Sequence, residues 1–302
     1  MKTVLVIGSS NTDMVIRVRE LPIPGQTVMG DSFQTFAGGK GANQAVAAQR
    51  AGGNVSFLAT VGDDSVGRSA IDTYVSEGID TSLIQVIDDM PSGVAMILVN
   101  DAGENCISVA PGANDALTNE VVRRHQNAIS KADILLLQLE SPLEAVVEAV
   151  GIASQNQTRC VLNPAPAAPV PDETLAQLFC ITPNASEAEL LTGVAVVDER
   201  SAIVAAEHLK ARGVENVVVT LGGSGALLCN ADGIQHQEAP SVEVVDSTAA
   251  GDTFNGVFVT LLAEGRPIMD AIRVAVKAAS LSVQTAGAIA SIPRRAAYDV
   301  TL

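Results

Sequence analysis

The alternation of short apolar runs with helical patterns predicts an α/β protein in three layers, a mostly parallel central sheet flanked by helices. Two observations carry this expectation. Runs at 4–7, 55–60, 134–139, 160–162, 179–182 and 217–220 are apolar almost throughout instead of alternating, as strands buried on both faces are. Between them, apolar residues at helical spacing mark helices near 42–51, 65–77, 118–130, 141–154 and 201–212. Two stretches break the order. Residues 12–36 read as short strands joined by Pro/Gly turns, and 92–110 as a hairpin turning at Asp101-Ala102-Gly103-Glu104. Each is either a lid inserted into the βα series or an antiparallel addition at a sheet edge. No linker or repeat divides the chain, so 1–302 reads as one domain.

Composition narrows the partners. The 302 residues hold 34 Asp and Glu against 18 Lys and Arg, a formal charge of −16. The basic pairs Arg123-Arg124 and Arg294-Arg295 are isolated, so nothing resembles the clustered cations that a nucleic-acid backbone rewards. An anionic substrate must therefore be held by helix N-termini, main-chain amides or one placed cation. Cys106, Cys160, Cys180 and Cys229, with His125, His208 and His236, offer no zinc-ligand spacing. Only residues 4–8 separate Met1-Lys2-Thr3 from Ser9-Ser10, too few for the apolar core of a signal peptide. No apolar run approaches the ~18 residues of a membrane span, and a cytoplasmic location is expected.

Three segments have residue types suited to chemistry. In 246–256, DSTAAGDTFNG, the small residues Ala249, Ala250 and Gly251 let main chain approach a ligand at a helix start. Asp252 lies beside those amides, where a carboxylate can take a proton from an attacking hydroxyl; read locally it is equally a helix cap. No GxxxxGK[ST] phosphate loop occurs. In 37–43, AGGKGAN, glycines surround Lys40 just before a helix, which fits a polar ligand gripped by backbone and ammonium, or a plain turn with a solvated lysine. Asn184 with Glu187 three residues on is a capping-box variant. Glu140 ends an apolar strand, and Gly222-Gly223-Ser224-Gly225 follows another, at the strand ends where parallel sheets place ligands. An exposed strand end and a tight turn are the structural alternatives. Residues 8–13, GSSNTD, lack the GxGxxG spacing of a dinucleotide site.

In this order, the segments 38–43 and 246–256 together resemble the two signatures of the ribokinase family of carbohydrate kinases, over residues 4–293. The resemblance implies a small β-sheet lid over a sugar, matching the two irregular stretches, and ATP-dependent phosphorylation of ribose at O5. It implies sugar contacts from Asn11, Asp13, Gly39, Lys40, Asn43 and Glu140, with Asp252 as base and the amides of Ala249, Ala250 and Gly251 as an anion hole. It implies nucleotide contacts at Asn184, Thr220, Gly222, Gly225, Gly251 and Val276, with Glu187 near Mg2+ and phosphate. A monovalent cation, K+ by family habit, would fall on Asp246, Thr248, Ser282, Thr285, Gly287 and Ser291. A homodimer through the lid is also implied. Ala249 stands where many relatives carry Gly, and Val276 where a His can occur. Kinases for deoxyribose, another small sugar or a nucleoside are the alternatives, with a non-catalytic sugar-binding regulator behind them.

Overall fold

Strand residues that point alternately to two covered faces must be apolar on both, and the chain obeys this strand by strand. In the computed structural model, residues 2–299 are described. The strands in chain order are β1 (Thr3–Ile7), β2 (Asn11–Val18), β3 (Gly30–Gly38), β4 (Asn54–Leu58), β5 (Thr60–Gly62), β6 (Gln85–Ile87) and β7 (Gly93–Val99). Then come β8 (Asn105–Ala110), β9 (Ile134–Leu137), β10 (Arg159–Leu162), β11 (Cys180–Ile181), β12 (Asn216–Thr220), β13 (Ala226–Asn230) and β14 (Gly233–Gln237). The helices are α1 (Lys40–Arg50), α2 (Ser65–Glu77), α3 (Asn119–Arg124), α4 (Gln126–Lys131) and α5 (Leu143–Gln155). They continue as α6 (Asp172–Leu175), α7 (Ala185–Thr192), α8 (Glu199–Ala211), α9 (Ala250–Ala263) and α10 (Ile268–Ser282).

The main sheet runs β14-β13-β12-β11-β10-β9-β1-β4. Its six strands from β4 to β12 are parallel, and β13 and β14 close one edge antiparallel. Val4 and Val6, Ile134 and Leu136, and Val218 pack under α1, α9 and α10. Leu5 and Ile7, Leu135 and Leu137, and Val217 and Val219 pack under α5 and α8 on the other face. The sheet is therefore the middle of three layers.

Several boundaries differ from the sequence reading. The run 55–60 divides into β4 and β5, and β5 leaves the main sheet to pair with β6. The helix expected at 118–130 breaks at His125, whose ring Nδ1 meets Val121 O at 2.9 Å and ends the first piece. The β13–β14 hairpin, turning at Ala231-Asp232, had no alternating pattern to announce it because β13 is buried on both faces.

Residues of the two irregular stretches form a separate sheet, β3-β2-β7-β8. Asp13 pairs with Phe36 and Ala95, so the three share one face. Phe33 and Met96 on the opposite face remain exposed, as do Ile107 and Val109 on the Asp13 face.

What places the site is the crossing of α1 and α9. Every α1 residue from 41 to 48 is buried, half of them alanine, so the two backbones meet closely. At Gly256 a Cβ would lie 2.5 Å from Ala47 Cβ and 2.6 Å from both Ala48 N and Gln44 O. There is no room for one. Gly256→Ala is expected to destabilise the fold by ~1–3 kcal/mol, as overpacking of a filled core does. Urea unfolding checks this; an unchanged midpoint would contradict the crossing.

Candidate active site

The N-termini of α1 and α9 come together where β1, β9, β10 and β11 end. Gly39, with φ 87°, precedes α1 in a conformation that glycine alone adopts without strain, and a Cβ there would lie 2.7 Å from Asn11 N. Glu140, at the end of β9, accepts from Lys40 N at 2.9 Å and from Ser9 Oγ at 2.6 Å. Its carboxylate thus anchors the start of α1, where unpaired amides favour negative charge. The Lys40 ammonium lies 3.9 Å from the other Glu140 oxygen.

Asp252 lies in the first turn of α9 with 7% of its surface exposed. Its Oδ2 accepts from Asn43 Nδ2 at 3.0 Å and its Oδ1 from Gln44 Nε2 at 2.9 Å. The cap position itself is Ala249, held at φ 60° and ψ 13°, a left-handed conformation that explains why glycine suits the position. The helix ladder begins with Thr253 N donating to Ala249 O at 2.8 Å, so the preceding amides lie at the open helix end. Among them, Ala250 N is drawn into a turn with Ser247 O at 3.2 Å.

The charges are unbalanced. Burial pushes the Asp252 carboxyl up, against the pull of Lys40 and the Asn43 and Gln44 amides, and leaves it above the ordinary range. Asp13 is raised to about 6 by burial and then by Glu140 and Asp252, with Lys40 opposing. Burial would lower Lys40, yet Asp252, Glu140, Glu187 and Asp13 together hold it above its usual value. Four carboxylates therefore share one ammonium.

Asn11 is also held in place. Its Oδ1 accepts from Asn114 Nδ2 at 2.8 Å, and Asn114 Oδ1 accepts from Ser10 N at 2.8 Å.

The remaining candidates fall into two groups. Asn184, Thr220 and Gly222 line a cavity of about 410 Å³ with Val197 and His236, and Gly225 closes the same loop by donating to Gly222 O at 3.0 Å. Asn184 and Glu187 form a reciprocal capping box. Both Glu187 oxygens are taken, by Asn184 N and Nδ2 at 2.8 Å each. Burial raises the Glu187 carboxyl despite the Asn184 amide and Lys40. Val276 is 5% exposed and belongs to the core beside α9.

In the second group, Asp246 staples two turns together: its oxygens accept from Thr248 N at 2.9 Å and Gly287 N at 2.8 Å. Val245 N and Asp246 N both donate to Val283 O. Burial opposes ionisation of Asp246, but the Gly287 and Thr248 bonds keep its carboxyl below the usual range. Ser282 and Ser291 turn their hydroxyls onto Ala279 O and Ala288 O, and Thr285 N donates to Ser282 O at 3.2 Å. Among the described residues, no group of three or more His, Cys, Asp or Glu side chains is placed to hold a metal ion.

A carboxylate and lysine cluster beside a helix N-terminus at parallel-strand ends has the donors and acceptors that a small-molecule kinase needs. The profile of the pfkB family of carbohydrate kinases matches residues 1–295, and the chain belongs to this family. A ribokinase of Haemophilus influenzae is 45% identical over 294 residues, 97% of this chain and 96% of that protein. A deoxyribokinase of Salmonella typhimurium is 35% identical over 291 residues, 96% and 95% of the two chains. The solved Arabidopsis thaliana ribokinase, complexed with ribose and ATP, superposes with a TM-score of 0.89 at 30% identity, covering 98% of this chain and 97% of that one.

Sequence reasoning passed over Ser9, Gln44, Asn114, Gln138 and Asn163. Gln138 and Asn163 carried a readable signal, each being the polar residue directly after an apolar strand.

Asp13 gives a measurable consequence. Its folded value of about 6 exceeds its ordinary 3.8, so its contribution favours the folded state below pH ~4 and is lost as the pH rises through about 6. Asp13→Asn should therefore stabilise the sugar-free protein at pH 8, by on the order of 1–2 kcal/mol, and hardly at all at pH 4. Thermal unfolding at the two pH values checks it; equal shifts at both would contradict the assignment.

Proposed function

We propose that this chain transfers the γ-phosphoryl group of ATP to O5 of D-ribose, with Asp252 as general base. The observation that carries the reading is the Asp252 carboxylate, buried at the start of α9 and joined to Asn43 of the glycine-rich segment. The names of its ribokinase relatives support ribose as acceptor and ATP as donor.

Each residue then has a task that fits its chemistry. Asn11, Asp13, Gly39, Lys40, Asn43 and Glu140 supply donors and acceptors for a neutral polyhydroxyl ligand. Asn43 Oδ1 is buried and without a protein partner among the described residues, which suits an acceptor for a sugar hydroxyl. Asp252 takes the O5 proton as O5 attacks phosphorus and the bond to the ADP oxygen breaks. A carboxyl raised above its ordinary range is a better base for that proton. The α9 N-terminus, at Ala249, Ala250 and Gly251, faces the charge that develops on the transferred group.

Asn184, Thr220, Gly222, Gly225 and Gly251 are assigned to the nucleotide, and Val276 to the wall near its base. With both oxygens engaged by Asn184, Glu187 would act on Mg2+ through its field and through water. Mg2+ supplies charge neutralisation at the phosphates when bound. The Asp246 carboxylate is spent on amides, so main-chain oxygens of the 246–248 and 282–291 turns, including Thr248, Ser282, Thr285, Gly287 and Ser291, would hold K+. The four-stranded sheet is read as a lid rooted at Asn11 and Asp13. Its exposed Phe33 and Met96, with Ile107 and Val109, suit a homodimer contact. No helix among the described residues is long and apolar enough to cross a membrane, and the cytoplasm is the proposed location.

The deoxyribokinase relative favours a second reading, deoxyribose as acceptor. Asn11 and Asp13 argue for the fully hydroxylated sugar, since groups built to bond a hydroxyl reject its absence.

An ATP-coupled assay over ribose, deoxyribose, fructose and adenosine, in potassium and in sodium, decides between them. Ribose should give the highest kcat/KM. Asp252→Asn should lower kcat by ~10²–10⁴ with the fold intact. Near wild-type turnover in that variant would reject the base, and failure on ribose would reject the substrate.

A further inference from the structure

Gln138, Asn163 and Thr182 follow β9, β10 and β11, three adjacent strands whose last residues are in register: Leu137 opposite Leu162, and Leu162 opposite Ile181. The three side chains therefore form a row across the carboxyl edge of the sheet. Two helices dock onto it. From α1, Gln44 Nε2 donates to Asn163 Oδ1 at 3.0 Å, and Gln44 Oε1 accepts from Gln138 Nε2 at 2.6 Å. From α9, Asn255 Oδ1 accepts from Thr182 Oγ1 at 2.6 Å, and Asn255 Nδ2 donates to Gly251 O at 2.8 Å. Asn163 Nδ2 closes the row by donating to Thr182 O at 3.1 Å. Gln44 has no exposed surface, and none of the other members exceeds 7%.

The row gives the Gln44 amide one possible orientation. Asn163 Nδ2 is committed to Thr182 O, so Asn163 offers oxygen and Gln44 must face it with nitrogen; the Gln44 oxygen then accepts from Gln138 Nε2. One N–H of Gln44 is left, and it points at Asp252 Oδ1. The other carboxylate oxygen, Oδ2, accepts from Asn43 Nδ2 at 3.0 Å, so each oxygen holds one amide and keeps a second lone pair.

We propose that Gln44 is a positioning residue for the phosphoryl transfer, holding Asp252 ionised and oriented through Oδ1, with Gln138 and Asn163 fixing the amide that does so. This rests on Asp252 as the base proposed above. A hydrogen bond donated to a carboxylate favours its charged form. The other charged groups acting on Asp252 are Lys40 from α1, Glu140 after β9, Glu187 from α7 and Asp13 from β2. All of them stay in place when Gln44 is changed.

The test is Gln44→Met, close in volume and unable to donate, with Gln138→Met as the partner that frees the amide to turn. In the ATP-coupled assay the acid limb of kcat should move to higher pH by ~1–2 units in Gln44→Met and by less in Gln138→Met. KM for ribose and ATP should stay within about threefold, since Gln44 is placed behind the carboxylate. The Asp252 carboxyl is also titrated directly by carbon-13 NMR in ligand-free protein, its signal assigned by loss in Asp252→Asn. A matching upward shift supports the proposal even if no sugar proves to be a substrate, so it stands or falls apart from the choice of reaction. An Asp252 titration that is the same in Gln44→Met and wild type overturns it, as does a fall in kcat without movement of the limb. If Gln44→Met fails to fold, the Gln138→Met titration decides in the same way.

Discussion

The close crossing of α1 and α9 is the constraint from which the site follows. Gly256 and the run of alanines in α1 allow two helix backbones to approach until only hydrogen fits between them. At that separation, amides one turn along α1 reach a carboxylate one turn into α9. A wider crossing, with larger residues at the seam, would leave Asp252 buried without donors, a costly state for a charge. The apolar packing and the polar chemistry are therefore one arrangement seen at two heights along the same helices.

Electrostatics bears on how a strongly acidic protein would bring an anionic nucleotide to a neutral sugar. Four carboxylates act on Lys40, and burial leaves three of them, Asp13, Glu187 and Asp252, basic for their kind. Such carboxylates accept hydroxyls from a neutral sugar readily. On the proposed reaction, phosphate oxygens would be repelled by them and would be met instead by uncharged main-chain amides at the α9 start. The two substrates would then be sorted by the kind of donor and acceptor each end of the site offers.

Much of this was legible in the sequence, and the reason is locality. The three layers follow from apolar runs, and the glycine-rich and DSTAAGD segments hold their own turns and helix starts within a few residues. The reciprocal bonds of Asn184 and Glu187 are likewise a matter of three-residue spacing. Gln44 was not legible. In the chain it is one polar residue inside an alanine-rich helix, and its orientation depends on positions 138 and 163 becoming lateral neighbours. The β13–β14 edge depends in the same way on what packs against it. Glu140 lay between the two cases: its strand-end position marked it, but its bond to the Lys40 amide needed the folded start of α1.

The hydrogen bond between Asn43 and Asp252 closes a loop of 209 residues. On a ribosome adding about 5–20 residues per second, α1 waits roughly 10–40 s for its partner helix to be made. During that interval the α1 seam has no α9 to pack against, and Gln44 lacks its Asp252 partner. The small size of the seam residues then has a second merit: alanine and glycine present little adhesive surface to other nascent chains. The order of synthesis also makes Asp252 the last part of the carboxylate cluster to arrive, so a chain cut short before α9 holds Asp13, Lys40 and Glu140 without Asp252.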